Sequence, residues 1–220
     1  MAGRTVLIAG ATSASGHAVA RALTAAGAHV VATGRDSGKL AALATLGART
    51  ETVDLTDERQ VDALAERLHA DRVRVDGLLN LVGGWRGGGG LAGQTDADYR
   101  ALEGSLTALR FVSRAFDADL RASSAGRLAI VSSTAVARPL AGGANYAAVK
   151  AASEAWTRAV AQGFAKAARD AGQAPAAAAV ILRVKALAGL EDRLASAVLA
   201  LWDADATALN DSTHDLTEAG

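Results

Sequence analysis

Short apolar runs alternate with longer segments of helical periodicity along most of the chain. The apolar runs predict strands over residues 5–9, 29–33, 50–55, 75–82, 126–133 and 177–184, with a short edge strand at 213–217. The segments between them predict helices over residues 16–26, 37–46, 58–69, 96–121, 145–171 and 190–202. Because parallel strands are joined by right-handed helical crossovers, this alternation indicates a doubly wound α/β fold, with a parallel sheet of about seven strands and helices on both faces.

Three loops of this predicted fold fall on one edge of the sheet. They follow Ala9, Val82 and Val131, which lie at or near the ends of the first, fourth and fifth apolar runs. Ligands of doubly wound sheets bind at the carboxyl ends of the strands. We therefore expect the functional residues in these loops.

The composition favours one domain in an aqueous compartment. With 220 residues and 50% hydrophobic content, the chain can bury a sizeable core, and we expect a single domain over residues 1–220. Lys+Arg and Asp+Glu both number 23, so the balanced charge gives no reason to expect nucleic acid or a membrane surface as partner. The chain has no cysteine, and no run approaches the roughly 18 apolar residues of a membrane span. We expect a cytoplasmic protein.

The first strand runs directly into a glycine-rich turn that opens a helix. This turn reads GATSASG, and it consists of Gly10, Ala11, Thr12, Ser13, Ala14, Ser15 and Gly16. Small residues let the backbone approach a pyrophosphate, whose charge is met by the amides and the dipole of the helix N-terminus. A plain turn is the alternative, but the position directly after the first strand favours a dinucleotide site.

The end of the second strand indicates which dinucleotide binds. Sites for NAD usually place an acid there for the ribose hydroxyls, whereas this chain has Thr33, Gly34 and Arg35. An arginine cannot accept those hydroxyl bonds but can clamp a 2′-phosphate, so NADPH is favoured over NADH. An ordinary loop cation is the alternative for Arg35. Asp54, which ends the third strand, is either an adenine ligand or a solvated strand end.

The stretch from Ser132 to Ala151 carries the candidate catalytic groups. Tyr146 and Lys150 are four residues apart, so on a helix they share one face. A nearby ammonium favours the phenolate, which makes Tyr146 a candidate acid or base near neutral pH. Ser133 ends a strand-like run that would deliver its hydroxyl to the same sheet edge, where it can hold a substrate atom. A solvated helix face is the alternative for the pair taken alone.

Together these motifs resemble the short-chain dehydrogenase/reductase family over nearly the whole chain. The opening glycine motif of the family corresponds to Ala9, Gly10 and Gly16, with Ala14 replacing its middle glycine. The serine of the family, thirteen residues before the tyrosine, selects Ser133. Further motifs correspond to Asp54 and Leu55, to Asn80, Leu81, Val82 and Gly83, and to Tyr146 and Lys150.

The resemblance implies a Rossmann-type fold and a role for each of these motifs. The glycine turn, the residues after the second and third strands, and Asn80, Val82 and Gly83 would bind the cofactor. Tyr146 would donate the proton, Ser133 would orient the substrate, and Lys150 would assist the phenol and hold the nicotinamide ribose.

Two departures from the family pattern affect the details. The helix asparagine that many members use to hold a proton-relay water corresponds here to Ser105. The proline-glycine that normally leads into a substrate lid after the sixth strand is missing, since ILRVKALAGLEDR runs almost directly into the last helix. We therefore expect an open active site.

The same departures resemble dihydropteridine reductases, which carry a similar glycine-tryptophan loop and a lidless exit. A planar substrate could then lie across Gly83, Gly84 and Trp85, with the indole as a stacking surface. Arg35 argues against this subfamily, because its animal members carry an acid at that position. A loop anchor packed against the scaffold is the alternative for Trp85.

The sequence therefore predicts an NADPH-dependent oxidoreductase that passes hydride to a C=O or C=N group of a small molecule. A general carbonyl reductase and a dinucleotide-binding sensor without catalysis are the alternatives. The resemblance also implies a homodimer or homotetramer, formed through the helices that begin near Asp96 and Asn145. The histidines have no carboxylates at ligand spacing, so no metal site is predicted.

Overall fold

Seven parallel strands form one sheet in the computed structural model, which describes residues 1–217. The spatial order of the strands is β3-β2-β1-β4-β5-β6-β7, and every neighbouring pair is parallel. The strands are β1 Thr5–Ala9, β2 His29–Gly34, β3 Arg49–Thr52, β4 Gly77–Asn80, β5 Arg127–Ser133, β6 Ala178–Val184 and β7 Ser212–Asp215. The order reverses between β1 and β4, which places the predicted switch point beside the glycine-rich turn.

Helices cover both faces of this sheet. They are α1 Ala14–Ala25, α2 Ser37–Ala44, α3 Glu58–Ala70, α4 Asp96–Ala115, α5 Asp117–Ala122, α6 Ala144–Asp170, α7 Glu191–Ala200 and α8 Ala206–Leu209. Two short 3₁₀ turns, Thr134–Val136 and Ala141–Gly143, connect β5 to α6. The predicted single doubly wound α/β domain is confirmed.

The core consists of two apolar layers, one on each face of the sheet. Strand β1 contributes to both, because its side chains alternate: Val6 and Ile8 lie in the layer that contains Leu23 of α1, and Leu7 lies in the layer that contains Phe164 of α6. A continuous apolar run such as TVLIA is what a strand buried on both faces requires. The sheet is thereby fixed as a rigid base for the loops at its carboxyl edge.

One predicted helix is wrong in its length. The sequence predicts a continuous helix over 96–121, but α4 ends at Ala115, and the φ of −109° and ψ of 9° at Phe116 break the helix before α5 begins. Phe116 is fully buried, and the buried Asp119 carboxylate on α5 accepts the amide of Val75 at 3.0 Å. These tertiary contacts hold α5 against the start of β4, although the sequence has no glycine or proline at the break.

Other boundaries differ by a few residues. Strand β3 ends at Thr52 rather than at 55, because the amide of Asp54 bonds to the Gln60 side chain and leaves the ladder. Strand β4 spans only Gly77–Asn80 within the predicted 75–82. The edge strand is confirmed as β7, shifted to Ser212–Asp215, and helix α8 was not predicted. Within residues 1–217, no helix combines the length and apolarity needed to cross a membrane.

Candidate active site

The predicted catalytic and substrate residues, with the exception of Ser105, meet at one cavity of about 1230 Å³. It lies where β4, β5 and β6 reach their carboxyl ends. Its lining includes Asn80, Val82, Gly83, Gly84, Trp85, Ser133, Tyr146 and Lys150. The fold thus brings together residues that are spread over about a third of the chain, as the common sheet edge predicted.

Tyr146 and Lys150 share the face of α6 that borders this cavity. The Lys150 Nζ atom lies 5.8 Å from the centroid of the Tyr146 ring, and it donates a 2.8 Å hydrogen bond to the Val131 carbonyl of β5. Burial of the ammonium lowers the pKa of Lys150 to about 8, and the charge of Glu154 opposes that shift. The lysine is therefore fixed by the sheet and titrates near physiological pH.

Ser133 stands at the last position of β5 and is almost completely buried. Its Oγ accepts the amide of Ala135 at 3.1 Å. A hydroxyl group carries one proton in addition to its acceptor sites, so that bond leaves the Ser133 proton free to be donated into the cavity.

Ser105 lies beneath Gly83, in the loop after β4, rather than in the cavity lining. Its Oγ donates to the Leu102 carbonyl, one turn earlier on α4, at 2.7 Å. A side chain added at Gly83 would lie 3.8 Å from the Ser105 Cβ and 3.6 Å from the Lys150 Nζ. The hydroxyl proton is thus directed to the backbone of its own helix, and Ser105 retains only acceptor capacity towards a water.

The glycine-rich turn is built for close backbone approach. A Cβ at Gly16 would lie 2.2 Å from the Ala11 carbonyl oxygen, and Gly10, with a φ of 81°, lies against the backbone of Val82. Ser13 caps α1 by accepting the amide of Gly16 at 3.1 Å. The turn is therefore packed too closely for side chains at Gly10 and Gly16, and it leads into the N-terminus of α1 at the sheet edge.

Some predicted cofactor residues are buried in the scaffold instead. The Thr33 hydroxyl donates to the Ile8 carbonyl at 3.0 Å inside the sheet, while the Thr33 carbonyl accepts the amide of Ala11 at 2.9 Å. Ser15 and Leu55 are likewise buried. These three side chains are therefore not accessible to a ligand, whereas Thr12, Ser13 and Ala14 are accessible from solvent.

Arg35 and Asp54 lie near each other beyond β2 and β3. Arg35 is exposed, and within residues 1–217 no carboxylate oxygen lies within 4.0 Å of its guanidinium. Hydrogen bonds from the Thr56 hydroxyl and amide lower the pKa of Asp54, and the charge of Arg35 adds to this effect. Asp54 is therefore an anion whose Oδ1 is already bonded, and Arg35 retains its donors for a ligand.

Asn80 offers an unsatisfied group on the cavity wall. It is 6% exposed at the end of β4, and its Oδ1 has no hydrogen-bond partner among the described residues. Buried polar atoms are normally paired, so an orphan of this kind points to a missing donor. Together with the closely packed glycine turn, this atom fits a bound dinucleotide.

The exit from β6 is short, as expected from the missing proline-glycine. Only residues 185–190 separate β6 from α7, and Leu187 and Ala188 line one side of the cavity.

Trp85 is 65% exposed beside the same cavity, so it is not packed into the scaffold. No group of three potential metal ligands occurs among residues 1–217.

Two features of the site were not predicted from the sequence. Gln94 links the loop after β4 to the segment that leads into α6. Its Nε2 donates to the carbonyls of Gly88 at 3.2 Å and Gly142 at 3.0 Å, and its Oε1 accepts the amide of Asn145 at 3.1 Å. Glu154 is buried behind Lys150. The spacing of four residues after Lys150 was a signal for Glu154, because it continues the helix face of the candidate catalytic pair.

Comparison with known proteins agrees with this geometry. The family profile described as short chain dehydrogenase matches residues 4–168. Nodulation protein G of Rhizobium meliloti (strain 1021) is 36% identical over 169 residues, which cover 75% of this chain and 69% of that protein. A protein of Streptomyces sp. (strain C5), proposed to be the daunorubicin C-13 ketoreductase DnrU, is 42% identical over 89 residues, which cover 37% of this chain and 31% of that protein.

A solved structure extends the likeness to the whole fold. A metagenomic short-chain oxidoreductase in complex with NADP superposes with a TM-score of 0.83 and 26% identity, over 97% of both chains. The protein belongs to the short-chain dehydrogenase family and is an oxidoreductase of that class. Neither of these relatives is named as a dihydropteridine reductase, so the comparisons do not show that narrower resemblance.

Proposed function

We propose that the protein is an NADPH-dependent reductase of a carbonyl compound, with Tyr146 as the proton donor. The observation that carries this proposal is the convergence of Ser133, Tyr146 and Lys150 on one cavity at the switch-point edge of the sheet. That arrangement places a proton donor, a cation and a hydroxyl around one space, which is what reduction of a polar double bond needs.

The residues of the chain would hold the cofactor at three places. The turn from Gly10 to Gly16 would receive the pyrophosphate, Arg35 would bind the 2′-phosphate, and Lys150 with Asn80 would hold the nicotinamide half. NADPH, when bound, supplies the hydride. The preference for NADPH over NADH rests on Arg35 and on the lack of an acid at the end of β2.

The catalytic residues would divide the remaining work. Ser133 donates a hydrogen bond to the substrate oxygen and orients it. Tyr146 gives its proton to that oxygen as negative charge develops there. Lys150, held by the Val131 carbonyl, stabilises the phenolate that remains. Ser105 would at most accept a hydrogen bond from a water beneath Gly83.

A ketone is the first candidate substrate, in line with the name of the Streptomyces relative. A quinonoid dihydropterin, whose C=N group would take the hydride, is the second candidate. The exposed indole of Trp85 beside an unlidded cavity favours it, because a flat heterocycle can stack there. A panel of ketones and the dihydropterin, each mixed with NADPH, separates the two by loss of NADPH absorbance.

The decisive variant is Tyr146→Phe, and the chain offers a matched control. It has two tyrosines, and Tyr99 lies on α4 outside the cavity lining. Tyr146→Phe should lower kcat/KM by about 10²–10⁴-fold, the usual value of a general acid, while NADPH still binds. Tyr99→Phe should leave kcat/KM unchanged. Equal turnover by wild type and Tyr146→Phe would show that the enzyme does not use this proton donor.

The assembly and location of the protein also remain proposals. We propose a cytoplasmic homodimer or homotetramer that packs through α4 and α6 and acts on a small molecule. Light scattering after size exclusion measures the mass in solution, and a monomer at micromolar concentration would contradict this part of the proposal.

A further inference from the structure

A buried carboxylate lies behind the catalytic lysine. Glu154 is 4% exposed and stands one helical turn after Lys150 on α6. Its Oε1 accepts a 2.7 Å hydrogen bond from the Ser132 hydroxyl. Side chains at this spacing share a helix face, so the carboxylate and the ammonium act on each other without direct contact.

Arg183 holds the same carboxylate from the next strand. Its Nε donates to Oε1 at 2.8 Å and its Nη2 donates to Oε2 at 2.6 Å, which is a bidentate ion pair. Ser132 and Arg183 are register partners on β5 and β6. Glu154 therefore fastens α6 to both strands directly behind the catalytic serine and lysine.

Burial and neighbouring charges have opposing effects on the protonation of Glu154. Burial alone would raise its pKa, but hydrogen bonds from Arg183 and Ser132, and the charge of Arg183, bring the pKa of Glu154 below its usual value. The carboxylate is thus ionised at neutral pH, and its charge is what raises the pKa of Lys150 against the effect of burial. The charged and titratable groups around the pair are Tyr146 and Arg158 on α6, Arg183 on β6, and Asp211 and Asp215 at the two ends of β7.

We propose that Glu154 is a positioning residue for catalysis: its buried negative charge keeps the Lys150 ammonium charged beside the cavity, and Arg183 sets how strongly it does so. The assignment of Lys150 to catalysis rests on the proposed function. The effect of Glu154 on Lys150 does not, because it concerns the protein without cofactor or substrate.

Two substitutions should move the titration of Lys150 in opposite directions. Glu154→Gln removes the negative charge, so the ammonium loses its proton at lower pH. Arg183→Met removes the cation that neutralises Glu154. The Ser132 hydroxyl still donates to the carboxylate, so we expect Glu154 to stay ionised where Lys150 titrates, and the ammonium then keeps its proton to higher pH. Each shift should be on the order of one pH unit, the lower end of what a neighbouring charge produces. A purely structural role would not produce opposite signs.

Competitive labelling measures this titration directly. Acetic anhydride reacts only with the neutral amine, so the labelling of Lys150 between pH 6 and 11, measured by peptide mass spectrometry, reports when the proton leaves. The control is Glu58→Gln, the same change at an exposed ion pair with Arg114 on other helices, and it should leave the Lys150 profile unchanged. In wild type the midpoint is expected near pH 8.

Activity provides the second measurement. At saturating NADPH, kcat/KM should decline at high pH as Lys150 loses its proton. This decline should begin at lower pH in Glu154→Gln and at higher pH in Arg183→Met. Glu154→Asp should retain the wild-type decline, because it keeps the charge. Unchanged labelling profiles, or shifts of the same sign, would overturn the proposal. If Glu154→Gln does not fold, Arg183→Met decides, since a downward or absent shift there is equally contradictory. Shifted labelling in a protein that reduces nothing would refute the proposed function alone.

Discussion

Replacement of Gly16 by alanine tests the geometry of the glycine-rich turn. The added Cβ would lie 2.2 Å from the Ala11 oxygen, 2.6 Å from its carbonyl carbon and 2.8 Å from its Cα. Non-bonded heavy atoms prefer separations of about 3.5 Å, so the backbone of the turn or the start of α1 must move by about 1 Å. Neither can move freely, because the Ala11 amide is bonded to the Thr33 carbonyl at 2.9 Å.

The expected cost follows from this overlap. Overpacking of this kind destabilises proteins by about 1–3 kcal/mol, and the displaced turn should bind NADPH at least about tenfold more weakly, which corresponds to about 1.4 kcal/mol. Gly163 offers a matched control. It also lies within a helix, α6, but a Cβ added there meets nothing within 4 Å. Gly163→Ala should therefore stabilise the fold by about 0.5–1 kcal/mol.

Urea denaturation followed by tryptophan fluorescence gives both free energies of unfolding, and quenching or energy transfer on NADPH addition gives the dissociation constants. The two Gly→Ala variants should lie on opposite sides of wild type and differ from each other in stability by about 1.5–4 kcal/mol. Wild-type stability and wild-type NADPH affinity in Gly16→Ala would refute the packing described for the turn.

Two further substitutions test the cofactor preference and the core. Arg35→Asp should raise the dissociation constant of NADPH by about 10–100-fold, since a hydrogen bond to a charged group is worth about 1.5–3 kcal/mol. The dissociation constant of NADH should change much less. Equal losses of affinity for the two cofactors in fluorescence titration would exclude contact of Arg35 with the 2′-phosphate. Arg127, which is 4% exposed, donates to the carbonyls of Leu201, Gly126, Ala176 and Ala204. Arg127→Met should lower the free energy of unfolding by about 2–4 kcal/mol, because these acceptors lose their donor inside the protein. A loss below about 1 kcal/mol in urea would show that water replaces the guanidinium.

Much of the fold could be predicted because its signals are local. Apolar runs such as TVLIA, followed by Gly10 and a helical pattern, identify a β-α unit within a short stretch of sequence. The position of Lys150 four residues after Tyr146 likewise fixes their shared face once α6 forms. The sequence by itself therefore determined the alternating elements, the sheet edge that carries the candidate site, and the shared helix face of Tyr146 and Lys150.

Tertiary structure decided the features that depend on distant partners. The break at Phe116 has no local breaker and depends on Asp119, whose partners Val75 and His69 are 44 and 50 residues away. The clamp on Glu154 joins Ser132 and Arg183, which are 22 and 29 residues away, and it exists only because β5 and β6 pair in one register.

The hydrogen-bond partners of individual side chains within the motifs were also decided by the tertiary structure. Thr33 and Ser105 occupy the positions that the motifs select, yet each hydroxyl donates to a backbone carbonyl nearby, that of Ile8 and that of Leu102. A motif fixes where a residue lies along the chain. Which atoms its donor and acceptor groups meet is fixed only when strands and helices pack, because hydrogen bonds act over about 3 Å and the competing partners come from every part of the sequence.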